Sequence, residues 1–249
     1  MSRTAWIIGG GSGIGAAVAR RLAREGWRVA ISGRRRERLD EVAASQAGIE
    51  AFPLDVTDTA AVTAMVATLA RHYGRIDLTI FGAAGWEPGR AGDYRFEPFA
   101  RLVDTNFLGL VRLLDPLVAQ LDAQGGGQIA GIASLAGYFG LPRAAAYASG
   151  KAAMISLLET LRTELAPRGI VVRMIAPGFV KSELTAKNDF PMPFLMETDA
   201  AAERIVRGLL RSDRFEIAFP RRLAWTMKVI RMLPYPLFFA VTRNMMSKR

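Results

Sequence analysis

The chain has no cysteine and one histidine, His72, among its 249 residues. The first absence excludes disulfides, thiolate zinc sites and cysteine nucleophiles. The second excludes histidine-pair metal centres and leaves little room for a serine–histidine triad, so no metal site is expected. His72 stands in RHYGRID, which reads as the exposed end of a helix before a strand, with no partner motif around it. No basic-then-apolar leader with a small-residue cleavage site follows Met1, so the cytoplasm is the expected compartment. The apolar run from Met232 to Val241 is shorter than the roughly 20 residues that span a bilayer. Acid is missing from one end. From Arg221 onward there are seven cations (Arg221, Arg222, Lys228, Arg231, Arg243, Lys248, Arg249) and no carboxylate, which places +7 of the +10 net charge in the tail. The body is only mildly basic, and no nucleic-acid partner is expected.

What is present is apolar material in a regular order. Residues of hydrophobic type make up 51% of the chain, enough for a large core. Strand-like runs at 4–9, 28–33, 49–55, 76–82, 128–134, 170–177 and 215–219 alternate with helical patterns at about 14–25, 36–47, 57–72, 98–124 and 147–166. Repeated β-α alternation with nearly continuous apolar strands predicts an α/β fold: a Rossmann-like doubly wound parallel sheet of about seven strands, with helices on both faces. No linker interrupts it, so 1–249 reads as one domain.

Two stretches carry chemistry. GGGSGIG (Gly9 to Gly15) follows the first strand and opens the first helix. Glycines there allow positive φ and close backbone approach to a pyrophosphate, while the helix start offers free N–H groups. AYASGK puts Tyr147 four residues before Lys151, on one face of a helix. A free phenol titrates near 10, and a neighbouring ammonium would lower that by about 1–3 units, fitting Tyr147 for acid–base work. Alone, each feature has a bland reading as a connector or an amphipathic helix.

The glycine spacing (Gly9, Gly13, Gly15) resembles that of the short-chain dehydrogenase/reductase family, and the likeness continues in order through about residues 4–184. It includes LDVTD (Asp55, Val56), the AAG turn (Ala83, Ala84, Gly85), TNFLG (Asn106), ASLAG (Ser134), YASGK, and APGFV (Pro177, Gly178, Val180). The resemblance implies strand order 3-2-1-4-5-6-7. It implies a nicotinamide cofactor held by Gly9, Gly11, Ser12, Gly13, Ile14, Gly15, Asp55, Val56, Ala83 to Gly85, Tyr147, Lys151, Pro177, Gly178 and Val180. It also implies a catalytic set: Tyr147 as general acid/base, Ser134 on the substrate oxygen, Lys151 on the nicotinamide ribose, and Asn106 anchoring a water in a proton relay. The bland readings of Ser134 as a helix cap and Asn106 as a buried hydrogen-bonding residue stand beside these. The two long helices would form a homodimer face.

Gly33 ends the second strand without an acid, and Arg34 follows. An acid there would repel a 2′-phosphate and an arginine would bind it, so NADP(H) is expected over NAD(H), with Arg34 as the main contact. The chain departs from the family at Ile8, usually threonine, and at Gly82 to Gly85, usually Asn-Asn-Ala-Gly. Ile8 is expected to pack over Gly82 and Ala83 as an apolar substitute. The apolar segment 185–205 reads as a substrate lid, suggesting a lipophilic carbonyl or alcohol. The tail 221–249 reads as a basic amphipathic extension, with Arg221, Lys228 and Arg231 on one side and Leu223, Met227, Ile230 and Leu233 on another. It either packs on the body or a second subunit, or lies against the inner face of a membrane. A non-catalytic nucleotide-sensing scaffold of the same fold is the alternative function.

Overall fold

A computed structural model describes residues 2–89 and 95–247, so Lys248 and Arg249 of the tail lie outside the described residues. Seven strands, β1 (Thr4–Ile8), β2 (Arg28–Ser32), β3 (Ile49–Ala51), β4 (Leu78–Phe81), β5 (Gly127–Ile132), β6 (Ile170–Pro177) and β7 (Glu216–Phe219), form one parallel sheet in the order β3-β2-β1-β4-β5-β6-β7. All five residues of β1 are buried, as a strand covered on both faces requires. Alternate side chains feed two cores. Trp6 and Ile8 join the layer of α3 (Thr59–Tyr73), α5 (Gly109–Ala123) and α6 (Ala145–Glu164). Ala5 and Ile7 join the layer of α1 (Gly13–Arg24), α2 (Arg36–Ala44) and α7 (Thr198–Arg211).

β1 lies between β2 and β4, with Ile8 in register with both Ser32 and Phe81. The chain winds one way from β1 to β3 and the other way from β4 to β7. The crevice beyond the carboxyl end of β1 is therefore a topological switch point, where open α/β sheets bind ligands.

Two elements differ from expectation. The helix anticipated over 98–124 is α4 (Phe96–Val103), then a π-helical turn (Asp104–Leu108), then α5. Such π turns recur at functional sites, and this one carries Asn106. The anticipated lid is not one loop. Its later part belongs to α7, whose Ala201, Ala202, Ile205, Val206 and Leu209 are buried at helical spacing in the core. The tail forms two helices, α8 (Arg221–Met232) and α9 (Tyr235–Ser247). Pro234 lies between them, and Pro236 sits in the first turn of α9, where proline costs no helix hydrogen bond.

Candidate active site

The turn after β1 is shaped by close backbone approach. Gly9 has φ +86°, and a Cβ there would lie 2.7 Å from the carbonyl of Gly82. A Cβ on Gly15 would meet the Gly9 carbonyl oxygen at 2.2 Å. Gly11 differs, because its Cβ would meet Leu39 and Arg38 only at ordinary contact distance. Ser12 stands at the N-cap of α1 in extended conformation without a side-chain capping bond, so the first-turn amides of Gly13, Ile14 and Gly15 have no side-chain cap. A backbone cradle at a helix N-terminus fits the pyrophosphate of a nicotinamide dinucleotide.

The end of β2 carries the charge. Burial would raise the Asp55 carboxyl, but the amide and hydroxyl of Thr57, with Arg34 and Arg112 nearby, hold it below the ordinary carboxylate value. Arg34 thus lies in the field of Asp55. The next residue, Arg35, was not singled out from the sequence, yet it donates to the Ser12 hydroxyl at 3.3 Å and to Glu183 at 2.9 Å. Arg38 also approaches Glu183, at 3.7 Å. Val56 is buried against Gly109, where a Cβ would sit 2.8 Å from it.

Asn106 is fully buried and spends its amide on one residue: its Oδ1 accepts from the Gly85 amide at 2.6 Å and its Nδ2 donates to the Gly85 carbonyl at 2.9 Å. It clamps the turn after β4 through both of its amide atoms. Ala83 and Ala84 complete that turn, partly buried. Ile8 is buried in the same core as Phe81, with Ala83 packed against that core, and the Gly82 amide donates to the Ile8 carbonyl at 2.8 Å. The backbone joins β1 to β4 here, and the side chain nearest to Gly82 is that of Ile132.

Ser134, Tyr147 and Lys151 converge. Ser134 caps a short turn by accepting from the Ala136 amide at 3.1 Å, and its hydroxyl reaches the Pro177 carbonyl at 3.4 Å. It is therefore the cap of that turn. Tyr147 is partly buried on α6, one turn before Lys151, whose Nζ lies 5.7 Å from the tyrosine ring centre. Burial raises the Tyr147 phenol above its ordinary value, and a hydrogen bond with Ser134 opposes the rise. Lys151 is 1% exposed, donates to the Ile132 carbonyl at 2.6 Å, and is brought down by burial to about 7. The expectation that Lys151 depresses the Tyr147 pKa is thus corrected: desolvation raises the phenol, Ser134 rather than Lys151 opposes the rise, and the lysine is itself held near neutrality by burial.

The strand-six motif lies beside them. Pro177 ends β6, the Gly178 amide donates to Phe219, and Val180 is buried and bridges Met196. Sequence reasoning missed the aromatic wall. Trp86 meets the Tyr147 ring edge to face at 5.3 Å and donates from its indole nitrogen to Asn188 at 2.8 Å. Arg143, at φ +66°, pairs with Asp189 at 2.8 Å and stacks over Phe190, which meets Phe179 at 6.1 Å. A non-glycine residue in that backbone region is uncommon. These contacts bring 188–190, the early part of the anticipated lid, against the wall around Tyr147. Its sequence signals were Trp86 directly after the AAG turn and the apolar lid segment that holds Phe190.

Comparison with known proteins agrees with this arrangement. The sequence matches the short chain dehydrogenase family over residues 3–191. It is 39% identical over 247 residues to an uncharacterized oxidoreductase of Myxococcus xanthus (strain DK1622), covering 98% of this chain and 97% of that one. It is 32% identical over 209 residues to another of Staphylococcus haemolyticus (strain JCSC1435), covering 83% and 90%. In fold it is similar to a short-chain dehydrogenase from Streptomyces avermitilis (TM-score 0.84, 24% identity, 92% of each chain). A variant actinorhodin polyketide ketoreductase with NADPH is also similar (TM-score 0.80, 24% identity, 90% of this chain and 97% of that one). With the family match covering most of its length and a relative 39% identical over 98% of it, the chain belongs to the short-chain dehydrogenase family of nicotinamide-dependent oxidoreductases.

Proposed function

We propose that the protein transfers hydride between NADP(H) and a lipophilic carbonyl or alcohol, with Tyr147 as general acid in reduction and general base in oxidation. The observation that carries this reading is Tyr147 on α6 with Lys151 buried one turn behind it, its Nζ 5.7 Å from the tyrosine ring centre and donating to the Ile132 carbonyl. When bound, the nicotinamide supplies or accepts the hydride. The Ser134 hydroxyl holds the substrate oxygen and steadies its developing charge. Tyr147 moves the proton at that oxygen. Lys151, at about 7, holds or releases a proton near neutral pH.

The preference for NADP(H) is supported by Arg34 in the field of Asp55, by Arg35 over Ser12, and by the absence of an acid at Gly33. The lipophilic substrate is supported by Trp86, Phe179 and Phe190 in the wall, and by Phe194 and Leu195, both exposed in the segment before α7. A homodimer over α5 and α6, for which exposed Leu108 and Val111 offer apolar contact, and a membrane-surface contact through 221–249 belong to the same reading. The test is a parallel titration with NADPH and NADH. NADPH should bind about 10–100-fold tighter, the size of one or two charge-assisted hydrogen bonds, and Arg34→Ala should remove most of that ratio. Equal affinities would overturn the NADP(H) assignment, and binding of neither would favour the non-catalytic scaffold.

A further inference from the structure

The last two helices have two apolar faces, one used and one bare. On α8, Met227 and Ile230 are buried in a small core with Phe139 and Phe238. On the opposite side, at helical spacing, Trp225, Val229 and Met232 are 68%, 51% and 75% exposed. On α9, Tyr235, Leu237 and Phe239 are exposed, while Phe238 and Thr242 are the buried positions among its described side chains. An exposed apolar strip such as that on α8, followed by exposed apolar residues on α9, marks an interaction surface. Exposed cations flank it, Arg221 and Arg222 at the start of α8, Arg231 near its end and Arg243 on α9. No carboxylate follows Glu216 in the chain. Lys228 is not among the available cations, because it pairs with Glu216, which also accepts from the Tyr138 hydroxyl.

We propose that this outer face of the α8–α9 hairpin docks on an anionic lipid bilayer and lies in its interfacial plane. Charge selects the occupant. A second copy would bring two acid-free tails together, whereas acidic headgroups meet the arginines and the acyl boundary meets the strip. A groove of about 370 Å³ between β7 and α8, lined by Arg214, Arg221 and Trp225 beside the Glu216–Lys228 pair, opens next to the strip and adds Arg214 to the cations on this side. Among the described residues no helix is long and apolar enough to cross a membrane, so the hairpin lies on the surface. Its inner face packs on Tyr138 and Phe139, between Ser134 and Tyr147 in the chain. Docking therefore sets that segment about one helix diameter, ~10 Å, from the lipid.

The proposal deepens the membrane contact in the reading above and rests on that part of it, independently of turnover. The full chain is sedimented with phosphatidylcholine vesicles, with and without phosphatidylglycerol as about a third of the lipid. Binding should be about tenfold stronger on the anionic vesicles and should fall with added salt. Trp225→Asp with Val229→Asp, both at exposed positions, should lower it about tenfold, and Arg221→Glu with Arg222→Glu by a similar factor. Melting temperature and NADPH-dependent reduction of a test carbonyl report that the variants remain folded. Failure of the parent to bind anionic vesicles overturns the proposal. So does an aspartate variant that instead breaks a larger oligomer into a smaller one, which assigns the face to a second copy. Vesicle binding without turnover would remove the redox reading alone; turnover without vesicle binding would remove the docking alone.

Discussion

The glycine turn after β1 takes its shape from backbone, and the wall around Tyr147 takes its shape from side chains. In the turn, Gly9 and Gly15 are required by contacts with Gly82 and with Gly9 itself. In the wall, Trp86 meets Tyr147 and Asn188, and Arg143 meets Asp189, contacts between separate elements that form only on folding. A backbone site is intolerant of any added atom but indifferent to distant sequence. A side-chain site tolerates local change in shape yet depends on the exact chemistry of a few groups.

The largest expected effect separates chemistry from binding. Tyr147→Phe removes the hydroxyl proposed to transfer the proton and should lower kcat about 10²–10⁴-fold while leaving NADPH affinity within a few-fold, as steady-state kinetics and fluorescence titration would show. Full activity in that variant would deny the wall its catalytic role. On the other side, Gly15→Ala places a Cβ 2.2 Å from a backbone oxygen and should cost about 1–3 kcal/mol or more in stability, with weakened cofactor binding. A parent-like urea midpoint and affinity would show that the turn can yield.

Lys151 links site and stability through pH. Its folded value is about 7. In the unfolded chain a lysine titrates near 10.4. Between those values the unfolded chain binds more protons, so stability of the cofactor-free protein should rise with pH, by up to about 1.4 kcal/mol per pH unit, and be lost as pH falls toward the folded value. Urea titrations at several pH values between about 7 and 9.5 would give the slope, and Lys151→Met should flatten it. The smallest effect is expected at Trp86. Phenylalanine keeps an aromatic edge for Tyr147 but loses the bond to Asn188, about 0.5–1.5 kcal/mol, and should raise KM several-fold with little change in kcat. A change confined to kcat would mean that Trp86 acts on Tyr147 rather than on the segment around Asn188.

Legibility followed the same division. The strand order and the placement of Gly9, Ser134, Tyr147 and Lys151 could be read because the needs they meet are local or come at fixed family spacing. The π turn at Asp104–Leu108 could not be read from a continuous apolar helix pattern. Helix α7 was legible in its apolar spacing, yet its Phe- and Met-rich approach drew the whole segment into one expected lid. The tail's apolar positions pointed correctly to Met227 and Ile230 as packing residues, but not to a second strip on Trp225, Val229 and Met232.

The sequence by itself determined the parallel sheet, because β-α alternation with strands apolar on both faces leaves little else. It also determined the glycine turn and the one-turn separation of Tyr147 from Lys151. Only the tertiary structure decided the protonation landscape and the neighbours. The direction of the Tyr147 shift, the near-neutral Lys151, the placing of Arg35 over Ser12 and the bare face of the final hairpin depend on which distant groups exclude water. Desolvation and side-chain contact are properties of the assembled surface, and residue order alone does not carry them.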